Sequence, residues 1–126
     1  MIVLDTHAWV WWVGLRRKLS RPALRAIERA ATIGISAISV LEIAELAERK
    51  RMELDSPTRA WVRAALSHQQ VELLPLSAEV AVDAAQLHFA ADPFDRIIYA
   101  TARAEDAQLV TRDERLHTFD PDRAIW

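Results

Sequence analysis

The amino-acid sequence predicts an α/β domain in which helices cover both faces of a parallel sheet of four to five strands. Short apolar runs, each only a few residues long, alternate with longer segments whose apolar residues recur at the helical period. Strands separated by helices need crossover connections, which make the strands parallel and bury the sheet on both sides. Size is the third observation. At 126 residues, 52% of them hydrophobic, the chain is expected to form one domain, residues 1–126, with apolar material enough for a core.

The elements follow in order. Ile2 to Leu4 reads as a short buried strand, and in the segment after it Trp9 and Trp12 share a helical face that reads as core. Pro22 to Ala31 is a helix, with Ser20 as a cap and Ala23, Leu24 and Ile27 as its apolar positions. Ile33 to Ser36 is the second strand. Val40 to Lys50 is helical, with Leu41, Ala44 and Ala47 on one face. Ser56-Pro57 reads as a helix start, a cap followed by proline in the first turn. Val71 to Leu74 is the third strand, ended by Pro75, and Ser77 to His88 is helical with Val80, Ala84 and Leu87 in line. A further helix starts at Asp92-Pro93 and runs to about Glu105. Gln108 to Val110 is the fourth strand, and Ala124 to Trp126 is a candidate fifth.

Composition removes several function classes. Cysteine is absent, which excludes disulfides, thiolate metal sites and cysteine nucleophiles and fits a reducing, cytoplasmic setting. With glycine only at Gly14 and Gly34, neither the dinucleotide fingerprint nor the P-loop can be formed. The apolar opening is short, is interrupted by Asp5 and His7, and lacks both a basic lead-in and a cleavage site, so a signal peptide is not expected. No stretch approaches the roughly 20 apolar residues of a membrane span. Net charge is −2, yet Arg16, Arg17, Lys18, Arg21, Arg25 and Arg29 lie close together, followed by Arg49, Lys50 and Arg51. Such a cluster is either a solvated helix face or a local basic surface for a phosphate backbone.

Four acids fall at equivalent places. Asp5 ends the first strand, Glu42 follows the second at the start of the next helix, Asp95 lies in the first turn of the DPFDRIIYA helix, and Asp113 closes LVTRD. Ligand sites of open parallel sheets form outside the carboxyl ends of the strands, so these acids would converge there. Convergent carboxylates repel one another, and a hard divalent cation such as Mg2+ or Mn2+ relieves the repulsion. Such an ion activates water and neutralises charge on a phosphoryl group, which points to phosphodiester hydrolysis. Each acid alone has a plainer reading. Ser39-Val40-Leu41-Glu42 matches a capping box, Asp92-Pro93-Phe94-Asp95 matches a cap with a third-position acid, and Asp5 and Asp113 can be N-caps.

The segments IVLDTHAWVWW, ISAISVLEIAEL, HFAADPFDRIIYATA and QLVTRDERL, in this order and spacing, resemble the PIN-domain family of the VapC toxin type over residues 2 to about 117. The resemblance implies a three-layer α/β/α fold, a cleft of acids binding Mg2+ or Mn2+, and endoribonuclease activity leaving 5′-phosphate and 3′-hydroxyl ends. It places the family's four acids on Asp5, Glu42, Asp95 and Asp113, and makes Asp92 an extra acid that serves as helix cap, as a partner orienting the ligands or as an outer ligand, the cap being the favoured reading. It also implies a toxin role, an RNA substrate, a cognate antitoxin that blocks the cleft, and a homodimer. On this reading Asp5, Glu42 and Asp95 hold the main ion and Asp113 closes the site or holds a second one.

Thr6, Ser39 and Thr111 are short hydroxyls beside these acids, suited to orienting them or to capping and turn formation. Arg96 and Arg112 flank acids and read as phosphate contacts or as charge balance. His7 and His88 are weak general-base candidates, since metal-activated water needs none. Trp11, off the face of Trp9 and Trp12, reads as an outward contact for a dimer or antitoxin.

Three rival readings differ from a nuclease. A receiver domain wants an acidic pair after the first strand and a lysine after the last, but the only lysines are Lys18 and Lys50. A haloacid-dehalogenase-like phosphatase wants an aspartate where His7 stands. A PIN-like module that binds without cutting keeps the fold, and intact acids alone do not exclude it.

Overall fold

The computed structural model describes residues 1–126. Five strands form one sheet: β1 (Ile2–Leu4), β2 (Ile33–Ser36), β3 (Val71–Leu74), β4 (Gln108–Val110) and β5 (Ala124–Ile125). Their order is β3-β2-β1-β4-β5, and all neighbouring pairs are parallel. Seven α-helices connect them: α1 (Thr6–Gly14), α2 (Arg21–Arg29), α3 (Ala37–Glu48), α4 (Thr58–Leu66), α5 (Ala78–Ala85), α6 (Pro93–Ala104) and α7 (Glu114–Phe119). No helix is long and apolar enough to cross a membrane.

Side chains alternate across the strands and feed two cores. Ile2, Leu4, Ile33, Ile35 and Val110 pack with Trp9 and Trp12 of α1, Ile27 of α2, Ile43 of α3 and Trp61 of α4. Val3, Leu74 and Leu109 pack on the other side with Val80 of α5, Ile98 and Tyr99 of α6 and Leu116 of α7. Both faces are therefore covered, as a parallel sheet requires. Gly34 permits the closest approach, since a Cβ there would lie 2.7 Å from Leu74 Cδ1.

Three expectations need correction. Helix α3 begins at Ala37, not Val40, because Ser36 at the end of β2 accepts from the Ile38 N–H at 3.2 Å and caps it. Ser39 thus lies inside the helix and cannot head a capping box. Helix α4 begins at Thr58 with Pro57 at the cap position and no side-chain cap, since the Ser56 hydroxyl turns to Asp55 instead. Helix α5 stops at Ala85, short of His88. The Ser20 cap stands where the sequence puts it, accepting from the Ala23 N–H at 3.1 Å, whereas Ser77, read as the first residue of its helix, is the cap of α5 and accepts from the Val80 N–H at 3.1 Å.

Candidate active site

The order of strands decides where a cleft can open. From central β1 the chain first builds outward through β2 to β3, then crosses to β4 on the other side of β1. Adjacent connections leaving in opposite directions open a crevice at the carboxyl ends of β1 and β4.

Asp5 is the first residue past β1. Its N–H extends the ladder, donating to the Val110 carbonyl at 3.0 Å, while its carboxylate accepts from the Ala8 N–H at 2.8 Å and caps α1. Asp113 follows β4 and caps α7, accepting from the Arg115 N–H at 2.9 Å. Asp92 caps α6 through the Asp95 N–H at 3.0 Å and so fixes Asp95 in the first turn. Glu42 lies in the second turn of α3 and not at its start as the sequence suggests, because Ser36 caps the helix three residues before Ser39. Capping and convergence are thus compatible: the caps are what aim three of these helices at the crevice.

Asp5, Glu42, Asp92, Asp95 and Asp113 line one cavity of about 530 Å³, together with His7, Trp11 and Arg112. The four acids read from sequence meet there with Asp92. Beneath them lie the three hydroxyls, all buried: Thr6, Ser39 and Thr111. The Thr6 hydroxyl donates to the Glu42 carboxylate and lies 3.2 Å from Ser39 Oγ. Thr111 Oγ1 accepts from the Asp113 N–H at 3.1 Å. Arg96 and His88 do not line the cavity.

Crowding and burial shift the acids. Desolvation, with Asp92, Glu42, Asp113 and Asp5 nearby, pushes Asp95 up to about 7. Burial also raises Glu42, against the hydrogen bond from Thr6, and raises Asp5, against bonds from Ala8 and Thr111. Asp113 moves the other way, because the Arg115 side chain holds its carboxyl below the usual range.

Arg115 is the residue that sequence reasoning missed. Its Nη2 lies 2.7 Å from Asp113 Oδ2 and 3.4 Å from Asp95 Oδ2, bridging two of the acids from an exposed position. An arginine two residues beyond an aspartate cap, in the first turn of a helix, was the available signal. As the side chains stand, no three are gathered tightly enough to form a ligand set. Arg115 engages Asp95 and Asp113, and Thr6 engages Glu42. The donor chemistry fits a hard cation nonetheless, being almost wholly carboxylate oxygen.

Residues 2–120 match the PIN domain family. The chain is 38% identical over 125 residues to ribonuclease VapC22 of Mycobacterium tuberculosis, covering 98% of this chain and 95% of that protein. Its fold is similar to a toxin–antitoxin complex from Klebsiella pneumoniae, with TM-score 0.73 and 22% identity over 100% of this chain and 97% of the other. It is also similar to VapBC2 from Rickettsia felis, solved with a promoter DNA fragment, with TM-score 0.71 and 20% identity over 99% and 98% of the two chains.

Proposed function

The chain belongs to the PIN-domain family, and from that premise we propose that it is a Mg2+- or Mn2+-dependent endoribonuclease. We read it as the toxin half of a toxin–antitoxin pair, cytoplasmic and homodimeric, restrained by an antitoxin that covers the cleft. One observation carries the nuclease reading. Carboxylates from four separated stretches of chain face one cavity, where burial first and their mutual repulsion second push Asp95 up to about 7. An apolar core or a purely structural rim has no use for that cost.

Asp5, Glu42 and Asp95 would hold the principal cation, and Asp113 would close the site. When bound, the cation supplies charge neutralisation at a phosphoryl group and makes water acidic enough to serve as a nucleophile at neutral pH. The chain's own residues prepare that site. The Ala8 N–H fixes one Asp5 oxygen, and the Thr6 hydroxyl fixes the Glu42 carboxylate. The cap from Asp92 fixes the backbone of Asp95. Arg115 balances Asp95 and Asp113 and would have to yield at least one of them to a cation. Hydrolysis of an RNA phosphodiester would leave 5′-phosphate and 3′-hydroxyl ends.

The test is cleavage of total cellular RNA with Mg2+ or Mn2+ and mapping of the ends. Asp95→Asn and Asp5→Ala should each lower cleavage by about 10³-fold, several kcal/mol of transition-state stabilisation, with an unchanged circular dichroism spectrum. Full activity in Asp95→Asn refutes its role, and a parent chain that binds RNA without cutting it is a binding module.

A further inference from the structure

The acid cavity continues past its own rim. Trp11 and Arg112, which line it, also line a neighbouring hollow of about 390 Å³ completed by Lys18, Leu19, Ser20 and Trp126. Two properties set this second hollow apart. It carries no carboxylate side chain, and its two cations form no ion pair: all four ion pairs of the chain involve Arg115 or Arg123, whereas Lys18 and Arg112 are exposed and pair with none. It is also aromatic. The Trp11 and Trp126 ring centres are 5.8 Å apart, His7 continues the row 5.7 Å from Trp11, and Lys18 Nζ lies 5.8 Å from the Trp11 ring centre. Both tryptophans are partly exposed.

A polyanion approaching five carboxylates needs compensating cations along its path. Unpaired cations interleaved with accessible aromatic faces suit a nucleic-acid strand whose bases are free to stack, hence a single strand or loop rather than a duplex. We infer that this shelf binds the nucleotide adjoining the phosphodiester presented to the acids. Arg112 takes its backbone phosphate at the junction of the two hollows, Lys18 adds a second cation, and Trp126 with Trp11 receives the base. The inference rests on the nuclease reading for its direction along the strand, and on the shelf's own residues for binding.

The experiment measures anisotropy of a fluorescein-labelled single-stranded RNA decamer on the full chain carrying Asp95→Asn, at fixed salt and Mg2+. In parallel it measures KM and kcat for the same RNA with Asp95 intact. Trp126→Leu should weaken Kd about tenfold, as loss of one stacked base does, with Trp126→Phe restoring most of it. Arg112→Gln, at an exposed position that folding does not need, should weaken Kd severalfold and flatten its salt dependence. In the cutting enzyme the losses should fall on KM. Unchanged Kd and KM in Arg112→Gln and Trp126→Leu overturn the shelf. The parent separates the two ideas: failure to cut RNA refutes the nuclease reading, while a Trp126-dependent Kd upholds the shelf without it.

Discussion

Where β4 and β5 begin, Asp120 accepts from the Tyr99 hydroxyl at 2.7 Å and from the Arg123 N–H at 3.2 Å. The Arg123 guanidinium donates to the Ala107 carbonyl at 2.7 Å and lies 3.5 Å from both Asp106 and Asp120. At the opposite end, beyond where β1 and β4 stop, five carboxylates share one cavity, and Arg115 is the only side chain that forms ion pairs with them. One end of the sheet pairs its charges; the other accumulates them. The difference teaches where the fold gives up stability, and it is at the end where strand topology already opens a crevice.

The comparison breaks most easily at the paired end. Asp120→Ala leaves the Tyr99 hydroxyl and the Arg123 guanidinium short of a charged partner in a partly buried setting. It should cost about 2 kcal/mol, or about 8 °C in Tm for a chain of this size. Tyr99 is held above its ordinary pKa by burial and then by Asp120, so its ultraviolet titration should move down in the same variant. An unchanged Tm would make that network ornamental.

The accumulated end should respond with the opposite sign. Folding binds the Asp95 proton more tightly than the unfolded chain does, since its carboxyl moves from 3.8 to about 7. Stability therefore falls as pH rises from about 4 to about 7 and stays lowered above that. Asp95→Asn removes the penalty. Discounted for the carboxylate's partial exposure and its pairing with Arg115, the gain should be about 1 kcal/mol, or about 4 °C in Tm at pH 8, shrinking toward zero at pH 4. Thermal melts at the two pH values without added metal decide it. A loss of stability at pH 8 would mean that Asp95 serves its helix more than it strains the cluster.

That sign pattern also explains what the sequence could and could not reveal. Strands β2, β3 and β4 were legible because short apolar runs flanked by turn residues have few alternatives once a parallel sheet is assumed. Asp5 and Asp113 were legible because they directly follow strands, and Asp95 because the Asp92-Pro93 cap marks the start of its helix. Helix starts were harder. Ser36 and Ser39 are both competent caps, and only the point at which β2 stops shows that Ser36 is used. The same choice decided Glu42: with Ser39 inside the helix, its carboxylate reaches Thr6, thirty-six positions away, rather than a local amide. Arg115 was obscured for a related reason. Arg96 and Arg112 adjoin acids in sequence, but α7, a helix of 6 residues with no strong periodic signature, is what turns Arg115 back over Asp113 and toward Asp95.

The smallest effect sharpens the comparison most, because Arg115 is what keeps the crowded end from being wholly unpaired. Arg115→Gln removes the side chain that holds the Asp113 carboxyl below its ordinary range. A depressed carboxyl contributes stability above its unfolded pKa and loses it as pH falls through the folded value. The variant should therefore lose stability near neutral pH and none in strong acid. Arg115 is more than half exposed, so the loss should stay under about 1 kcal/mol. The sharper readout is a carboxyl carbon titration by NMR. Asp113 should move up toward 3.8, while Asp95, deprived of its nearest cation, should move further above about 7. If neither midpoint moves, the bridge does not govern these acids in solution, and the cluster carries its repulsion unaided. If Asp113 alone moves, Arg115 belongs to the helix cap, and Asp95 is the acid left free to take a cation.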